Sequence, residues 1–496
     1  MTENLSFKLH SIIGDLSYLL PEFILVAIIL LILLADLIFK NQPKLVRLIA
    51  IVGLLFELYF STRQYLHIDK SMSVFAGMVT LNSLTAFWKM IFSVGALLTI
   101  LMSQAKASRW KTGEYHMMII TIVLGANLLA MSSNLLMVYI SLEIISITSY
   151  LLTTFSFDKK GAEAGIKYFL FGAVASAIMI YGMSLLYAVT LTLDFTGQQF
   201  TDALLQANPL PVIVGSVMLV AGFVYKMAAA PLHVWSPDAY TAAPTPVVAF
   251  FSVVPKLAGL AILIKVILVI NLFGLGPINW PTIIAIIAMI TILVGNFSAL
   301  WQNNVKRLLA YSSIAHAGFL LAGFAAFSQP ALQNVLFYAV VYLIMNIATF
   351  MIVNHFENSK GLIKVEDYSG IAVDHPYLTV LITILFISLT GIPPTGGFTA
   401  KLLIFTSIWE SYSQTDNQWL LYLLVFGLLN TVISLFFYLK IPFYMIFRTP
   451  NKELGSGKIK FGMENYFAGI LVLAILLIFF KPEWLMGLIN NINFAF

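Results

Sequence analysis

The chain has 496 residues, 60% of them hydrophobic and only 10% charged, with 27 Lys and Arg against 22 Asp and Glu for a net charge of +5. A soluble domain carries roughly 25% charged residues, so this composition describes a polytopic membrane protein, and the small positive excess, concentrated in loops, speaks against a nucleic-acid surface. The absence of cysteine excludes thiolate-ligated iron–sulfur clusters, disulfides and c-type haem attachment.

Stretches of roughly 20 apolar residues mark membrane-spanning helices. Fourteen are predicted, near 19–39, 46–62, 80–104, 115–132, 134–155, 163–192, 209–240, 244–271, 280–301, 305–327, 331–356, 376–412, 417–447 and 464–480. The first lacks a small-residue cleavage site and is long enough to cross, so it reads as a retained helix rather than a signal peptide. The seven histidines, His10, His67, His116, His233, His316, His355 and His375, stand singly, without the paired spacing of a metal or haem site.

Loop charges test the count, because cytoplasmic loops hold the excess of Lys and Arg. Loops after spans 1, 3, 5, 9, 11 and 13 contain sixteen cations: Lys40, Lys44, Arg47, Lys106, Arg109, Lys111, Lys159, Lys160, Lys306, Arg307, Lys360, Lys364, Arg448, Lys452, Lys458 and Lys460. The termini and the loops after even-numbered spans hold four, Lys8, Arg63, Lys70 and Lys481. The asymmetry supports an even number of spans and predicts both termini on the side away from the cytoplasm.

Two spans are too long for one straight helix and contain proline near the middle. In span 7, Lys226-Met-Ala-Ala-Ala-Pro231 leads into LHVWSPDAY; in span 12, the break is TGIPPTGGFTAK, from Thr390 to Lys401. Broken helices at membrane depth are tolerated where protein or water satisfies the freed backbone, and in transporters they mark the ion site. The breaks lie five spans apart, which predicts two five-helix repeats, spans 4–8 and 9–13, inverted relative to one another because five is odd. The predicted units are 1–114, 115–272, 273–447 and a C-terminal segment, 448–496.

Ionisable side chains at membrane depth are costly, about 2.5 to 3.5 kcal/mol on insertion scales, and usually face a protein interior or a water path. Glu143, mid-span in NLLMVYISLEIISITSYLL, and Lys226, just before the first break, form a natural pair. At about 6 Å and an effective dielectric of 20 their attraction is roughly 2.8 kcal/mol, enough to govern whether the lysine keeps its proton. Lys167 stands one turn into span 6 as a second neighbour of the pair. Lys256 follows Pro255 in span 8, Lys401 lies one turn past the second break, and His316, beside Tyr311, Ser312 and Ser313, is placed to carry protons between them. Lys89, Lys265 and Lys440 lie nearer span ends, where snorkelling to headgroups is expected; Glu22, Asp36 and Glu57 suit structural or interfacial roles.

The segments PEFILVAIILLILLADL, GFVYKMAAAPLHVWSPDAYTAAPTPVVAFFSVVPK, LWQNNVKRLLAYSSIAHAGF and TGIPPTGGFTAK resemble the antiporter-like subunits of respiratory complex I, the proton-translocating NADH:quinone oxidoreductase, over essentially the whole chain. The cationic Lys401 favours the N type over the M type, which has a glutamate there, and the short tail KPEWLMGLINNINFAF disfavours the L type with its lateral helix. One departure is YTAAPTPV, which lacks the acid-Gly usual before APTPV. The resemblance implies a proton path through Glu143, Lys226, Lys256 and Lys401, with Lys167 supporting the pair. It implies a subunit with no cofactor of its own, in the bacterial inner (plasma) membrane with periplasmic termini, between antiporter-like neighbours, with quinone and NADH handled by other subunits. A subunit of a multi-subunit Na+/H+ antiporter, or a proton-inactive scaffold, is the alternative.

Overall fold

The computed structural model describes residues 12–39, 42–68, 70–103, 112–271, 278–449 and 462–494. The predicted loop cations Lys8, Lys40, Lys106, Arg109, Lys111, Lys452, Lys458 and Lys460, and His10, lie outside the described residues. The described residues are helical apart from turns, connecting loops and one antiparallel hairpin, β1 (Met72–Val74) with β2 (Val79–Leu81). Its helices are α1 (Leu20–Ile38), α2 (Pro43–His67), α3 (Ser83–Met102), α4 (Thr112–Met131), α5 (Leu135–Thr153), α6 (Lys159–Thr190), α7 (Gln198–Gln206), α8 (Pro209–Lys226), α9 (Trp235–Ala242) and α10 (Thr245–Asn271). There follow α11 (Trp280–Leu300), α12 (Val305–Phe324), α13 (Gln329–Lys360), α14 (Pro376–Thr390), α15 (Gly396–Thr415), α16 (Gln418–Phe447), α17 (Met463–Phe480) and α18 (Glu483–Asn490).

Twelve helices among the described residues are long and apolar enough to cross a membrane. Predicted span 10 is present as α12 but is too polar to count among them, and predicted span 12 is split into α14 and α15, the first of only 15 residues. First-turn N–H groups have no intrahelical acceptor, and a bilayer offers them no water. Short polar side chains therefore start one helix after another: Asn82, Asn134, Asp158, Asn208, Asn279, Asn304, Ser328 and Asn417 each accept from a backbone N–H one to three residues into the helix they cap.

Two pairs of successive helices, α5 with α6 and α12 with α13, are locked in the same way at one end. Ahead of α5, Leu135 N–H bonds Leu193 O and Phe195 N–H bonds Ser133 O, forming a bridge between Asn134 and Asp194. Ahead of α12, Val305 N–H bonds Ile363 O and Val365 N–H bonds Asn303 O, forming a bridge between Asn304 and Lys364. Each bridge ties the chain entering one helix, α5 or α12, to the chain leaving the next, α6 or α13.

At the centre stand α10 and α13, whose most apolar windows are each 89% buried within the chain. In contrast α1, α2, α6, α16 and α17 turn apolar side chains such as Leu34, Phe56, Phe169, Phe436 and Leu473 outward. The polar and charged groups enclosed by this wall of helices are the ones to explain.

Candidate functional site

Predicted span 7 divides at Lys226. The N–H of Met227 still bonds Phe223 O, but Ala228 adopts φ +54° and a cis Ala230–Pro231 peptide follows, where proline has no N–H to continue a helix. The freed groups are satisfied by neighbours. Ala230 N–H donates to Thr291 Oγ1 of α11 at 3.0 Å, and the Tyr225 carbonyl accepts the Trp235 indole N–H at 3.2 Å. Trp235 in turn stacks on Tyr168 of α6, with ring centroids 4.0 Å apart and planes within 1°.

Lys226, at the end of α8, is 2% exposed and donates to Ser146 Oγ of α5 at 3.2 Å. Ser146 lies one helical turn beyond Glu143, which is half-buried and accepts from Ser176 Oγ of α6 at 2.5 Å. Glu143 and Lys226 thus face the same turn of α5, but each bonds a hydroxyl rather than the other. The stem of Lys226 lies on Gly259 of α10, where an added Cβ would come within 3.3 Å of the Lys226 Cβ. Gly259 is one turn beyond Lys256, so the two lysines meet the same stretch of α10.

Lys256, also 2% exposed, donates to Ser313 Oγ of α12 and stands 5.6 Å from the centroid of the Tyr240 ring. Pro255 before it lies inside α10 and leaves the carbonyl one turn back without its helical donor. At that turn, Ser252 O accepts from Tyr342 OH at 2.9 Å and Ser252 Oγ from Asn346 Nδ2 at 2.5 Å, both from α13.

His316, 1% exposed, has Nδ1 2.7 Å from Tyr338 OH and Nε2 3.0 Å from Tyr438 OH; the same Tyr438 OH is 2.5 Å from Ser312 Oγ. Two bonded sets thus meet at neighbouring residues of α12: Lys256 with Ser313, and Ser312 with Tyr438, His316 and Tyr338. Tyr311, expected in this group, sits half-buried at the margin and belongs to the packing instead.

Predicted span 12 breaks between α14 and α15, with Gly391 at φ +87° and a cis Pro393–Pro394 peptide. Lys401, 4% exposed, turns back to the end of α14 and donates to Thr390 O at 2.7 Å and Leu389 O at 3.2 Å. Its Nζ lies 4.4 Å from the centroid of Phe319, one turn along α12 from His316. A helix C-terminus carries about half a negative charge and attracts a cation. A side chain at Gly391 would be strained and would displace the lysine: its φ is left-handed, and a Cβ would sit 2.6 Å from Lys401 Cδ.

Lys167 lies apart from this row. Its side chain is 46% exposed and pairs with Glu163 at 2.7 Å and Asp238 at 3.4 Å, and Asp238 also meets Arg307 at 3.2 Å. The α6 residue that does reach Glu143 is Ser176. Two of the snorkelling expectations are corrected. Lys89 is fully enclosed and ion-paired to Glu22 at 2.8 Å, and Lys265, 2% exposed, bonds Thr80 Oγ1 at 2.5 Å and Met131 O at 3.1 Å. Both lie inside the helix bundle because neighbouring elements offer acceptors there, so neither reaches for headgroups. Lys440, about two turns before the end of α16, donates to Asn303 Oδ1 at 3.1 Å and Gln302 O at 3.3 Å.

A cavity of about 650 Å³ opens at the end of the bundle where α9 leads into α10. Asp158, Lys160, Thr245, Lys306, Asn354 and Glu357 are among its lining residues. Lys306 bonds Glu357 at 3.2 Å, and Glu357 accepts from Thr245. From there α13 carries Asn354, Asn346, Tyr342 and Tyr338 inward toward Ser252 and His316. Among the described residues no group of three or more His, Asp or Glu side chains could hold a metal ion.

A family model described as NADH:quinone oxidoreductase/Mrp antiporter, TM, matches residues 132–434, which include Glu143, Lys226, Lys256, His316 and Lys401. The chain belongs to this family. It is 35% identical over 466 residues to NADH-quinone oxidoreductase subunit N of Chlorobium chlorochromatii (strain CaD3), covering 90% of this chain and 89% of that one. Its structure is similar to a chain of respiratory complex I from Thermus thermophilus with bound aureothin, at TM-score 0.78 and 25% identity over 96% of this chain and 100% of the other. The fold alone is also that of a chain in the Mrp complex from Dietzia sp. DQ12-45-1b, at TM-score 0.82 but 17% identity, covering 95% and 96%.

Proposed function

We propose that the chain is the N-type proton-translocating membrane subunit of an NADH:quinone oxidoreductase, and that Lys226, Lys256, His316 and Lys401 carry protons along its midplane under the control of Glu143. The observation that carries this reading is the incomplete bonding of buried lysines. An ammonium has three N–H donors, yet Lys226 and Lys256 each make one hydrogen bond, to a serine. A lysine with one fixed partner can release a proton and take another by way of water, whereas a static structural charge is normally fully paired.

In this reading protons are taken up through the 650 Å³ cavity and follow the polar face of α13 to Lys256. They pass by Ser313, Ser312, Tyr438 and His316 toward Lys401, which releases them on the other side. Glu143 and Lys226 form the control point: a charge brought close to Glu143 by a neighbouring subunit would change how strongly Lys226 holds its proton. Moving one charge against 100 mV costs about 2.3 kcal/mol, which the redox chemistry of partner subunits must supply. Lys167 serves as a surface anchor of α6 and not as a relay.

The matching backbone bridges at Asn134 and Asn304 support reading the two five-helix segments as inverted repeats. With α12 crossing and α14 and α15 together forming one broken crossing, the spans number fourteen, and both termini lie on the side opposite the cytoplasm in a bacterial inner membrane.

Lys226→Ala and Lys401→Ala, introduced separately into the assembled complex in vesicles, are expected to lower the protons pumped per NADH oxidised. Unchanged pumping in both, with assembly confirmed, would leave a scaffold as the subunit's role.

A further inference from the structure

A second enclosed ionisable cluster lies outside the row, among the first four helices. Glu57 of α2 is 0% exposed, Lys89 of α3 is 0% exposed and Glu22 of α1 is 4% exposed. Lys89 pairs with Glu22 at 2.8 Å and donates to Gln64 Oε1 of α2 at 3.0 Å. Glu57 meets the hydroxyls of Ser61, at 2.7 Å, and Ser93. From α4, Asn127 joins the two acids, its Nδ2 lying 3.2 Å from Glu57 Oε1 and 3.5 Å from Glu22 Oε1. The charged groups facing the cluster are therefore Glu22 from α1, Glu57 from α2 itself and Lys89 from α3, with only the neutral Asn127 from α4.

Two independent counts reach the same result. With every group ionised the enclosure would hold two negative charges and one positive, and a lone uncompensated charge is what a buried site excludes. Secondly, Glu22 Oε2 and Asn127 Oδ1 are buried acceptors without a hydrogen-bond donor. One additional proton on a carboxylate balances the charge and supplies a missing donor.

We propose that the first four helices contain a proton-binding site in which Glu22 and Glu57 together hold one proton beside Lys89, making the cluster neutral. The step is simple protonation: a hydronium ion gives its proton to one carboxylate oxygen and leaves as water. The hydroxyls of Ser61 and Ser93 can turn to accept from a protonated Glu57 as readily as they donate to an ionised one, so the site accommodates both states without moving a helix. Helix α3 links the cluster to the lysine row, because Gly95 packs so closely on α10 that a Cβ would come within 2.6 Å of Val254 Cγ2, two residues before Lys256.

The test is infrared spectroscopy of the full chain in its assembled complex near neutral pH, read at the C=O stretch of a buried protonated carboxyl. Glu57→Gln or Glu22→Gln leaves one acid beside one lysine, and each is expected to remove one carboxyl's worth of that band. Lys89→Gln leaves two acids and no cation, and is expected to double the cluster's contribution. Opposite signs from the two kinds of variant would establish the shared proton even if one variant assembles poorly. A band unchanged in both glutamine variants and in Lys89→Gln, with the acids ionised throughout and water filling the free acceptors, would overturn the proposal.

Discussion

The two broken spans use the same device to opposite ends. In the first, Lys226 stands on the last turn of α8 and reaches away from the break, across to Ser146 on the turn of α5 next to Glu143. In the second, Lys401 stands beyond the break and folds back onto it, capping the exposed carbonyls of α14. Lys226 has one hydroxyl partner and an acid nearby, whereas Lys401 has two carbonyls, a helix terminus and an aromatic face. The first seat depends on a carboxylate of another helix and so can be adjusted by a neighbour; the second is set by its own backbone and holds a cation in a constant field. Such a difference suits one end of a path to regulation and the other to release.

The largest way to break this comparison is to move Lys401 off its seat without removing it. Gly391→Val forces a branched side chain into a left-handed backbone, costing upward of about 1–2 kcal/mol for the conformation alone, and overlaps the lysine stem. We expect lowered thermal stability of the purified complex together with lost pumping. Glu143→Gln, by contrast, should assemble normally and reduce pumping through Lys226 alone, which a comparison of pumping with NADH oxidation would reveal. Thr291→Val strips the donor-satisfying hydroxyl from Ala230 at the first break and should cost about 1–3 kcal/mol, measured as a shift in thermal unfolding. The smallest effect is expected from Ser146→Ala, worth about 1 kcal/mol of stability, with a partial loss of pumping; an equal effect from Ser407→Ala, remote from both breaks, would blur the distinction.

Much of this was legible in the sequence. Both breaks were marked by proline, and Lys226, Lys256, His316 and Lys401 stood out because cations and histidine are rare in apolar spans; all four are buried where expected. What was not legible was partnership across helices. Ser146, Ser176 and Thr291 are unremarkable in a membrane span, since a hydroxyl can bond its own helix, so nothing singled them out before α5, α6 and α11 were seen against the breaks. Lys89 and Lys265 were misjudged for the same reason. Position along a span indicates depth, but only packing shows whether Glu22 or Thr80 waits at the end of the side chain. Lys167, about two turns into α6, pairs with Glu163 and Asp238 at the surface, while Ser176, about 13 Å further along the helix, bonds Glu143.

The central claim is that the row of lysines is one continuous proton path. Its hydrogen-bonded parts are Lys256 with Ser313, and Ser312 through Tyr438 and His316 to Tyr338, and the steps from Lys226 to Lys256, from Ser313 to Ser312 and from His316 to Lys401 need water. A map of the assembled complex at a resolution that shows ordered waters tests this most directly. Waters bridging all three steps are the predicted result, and dry, apolar-packed gaps at any one would contradict it.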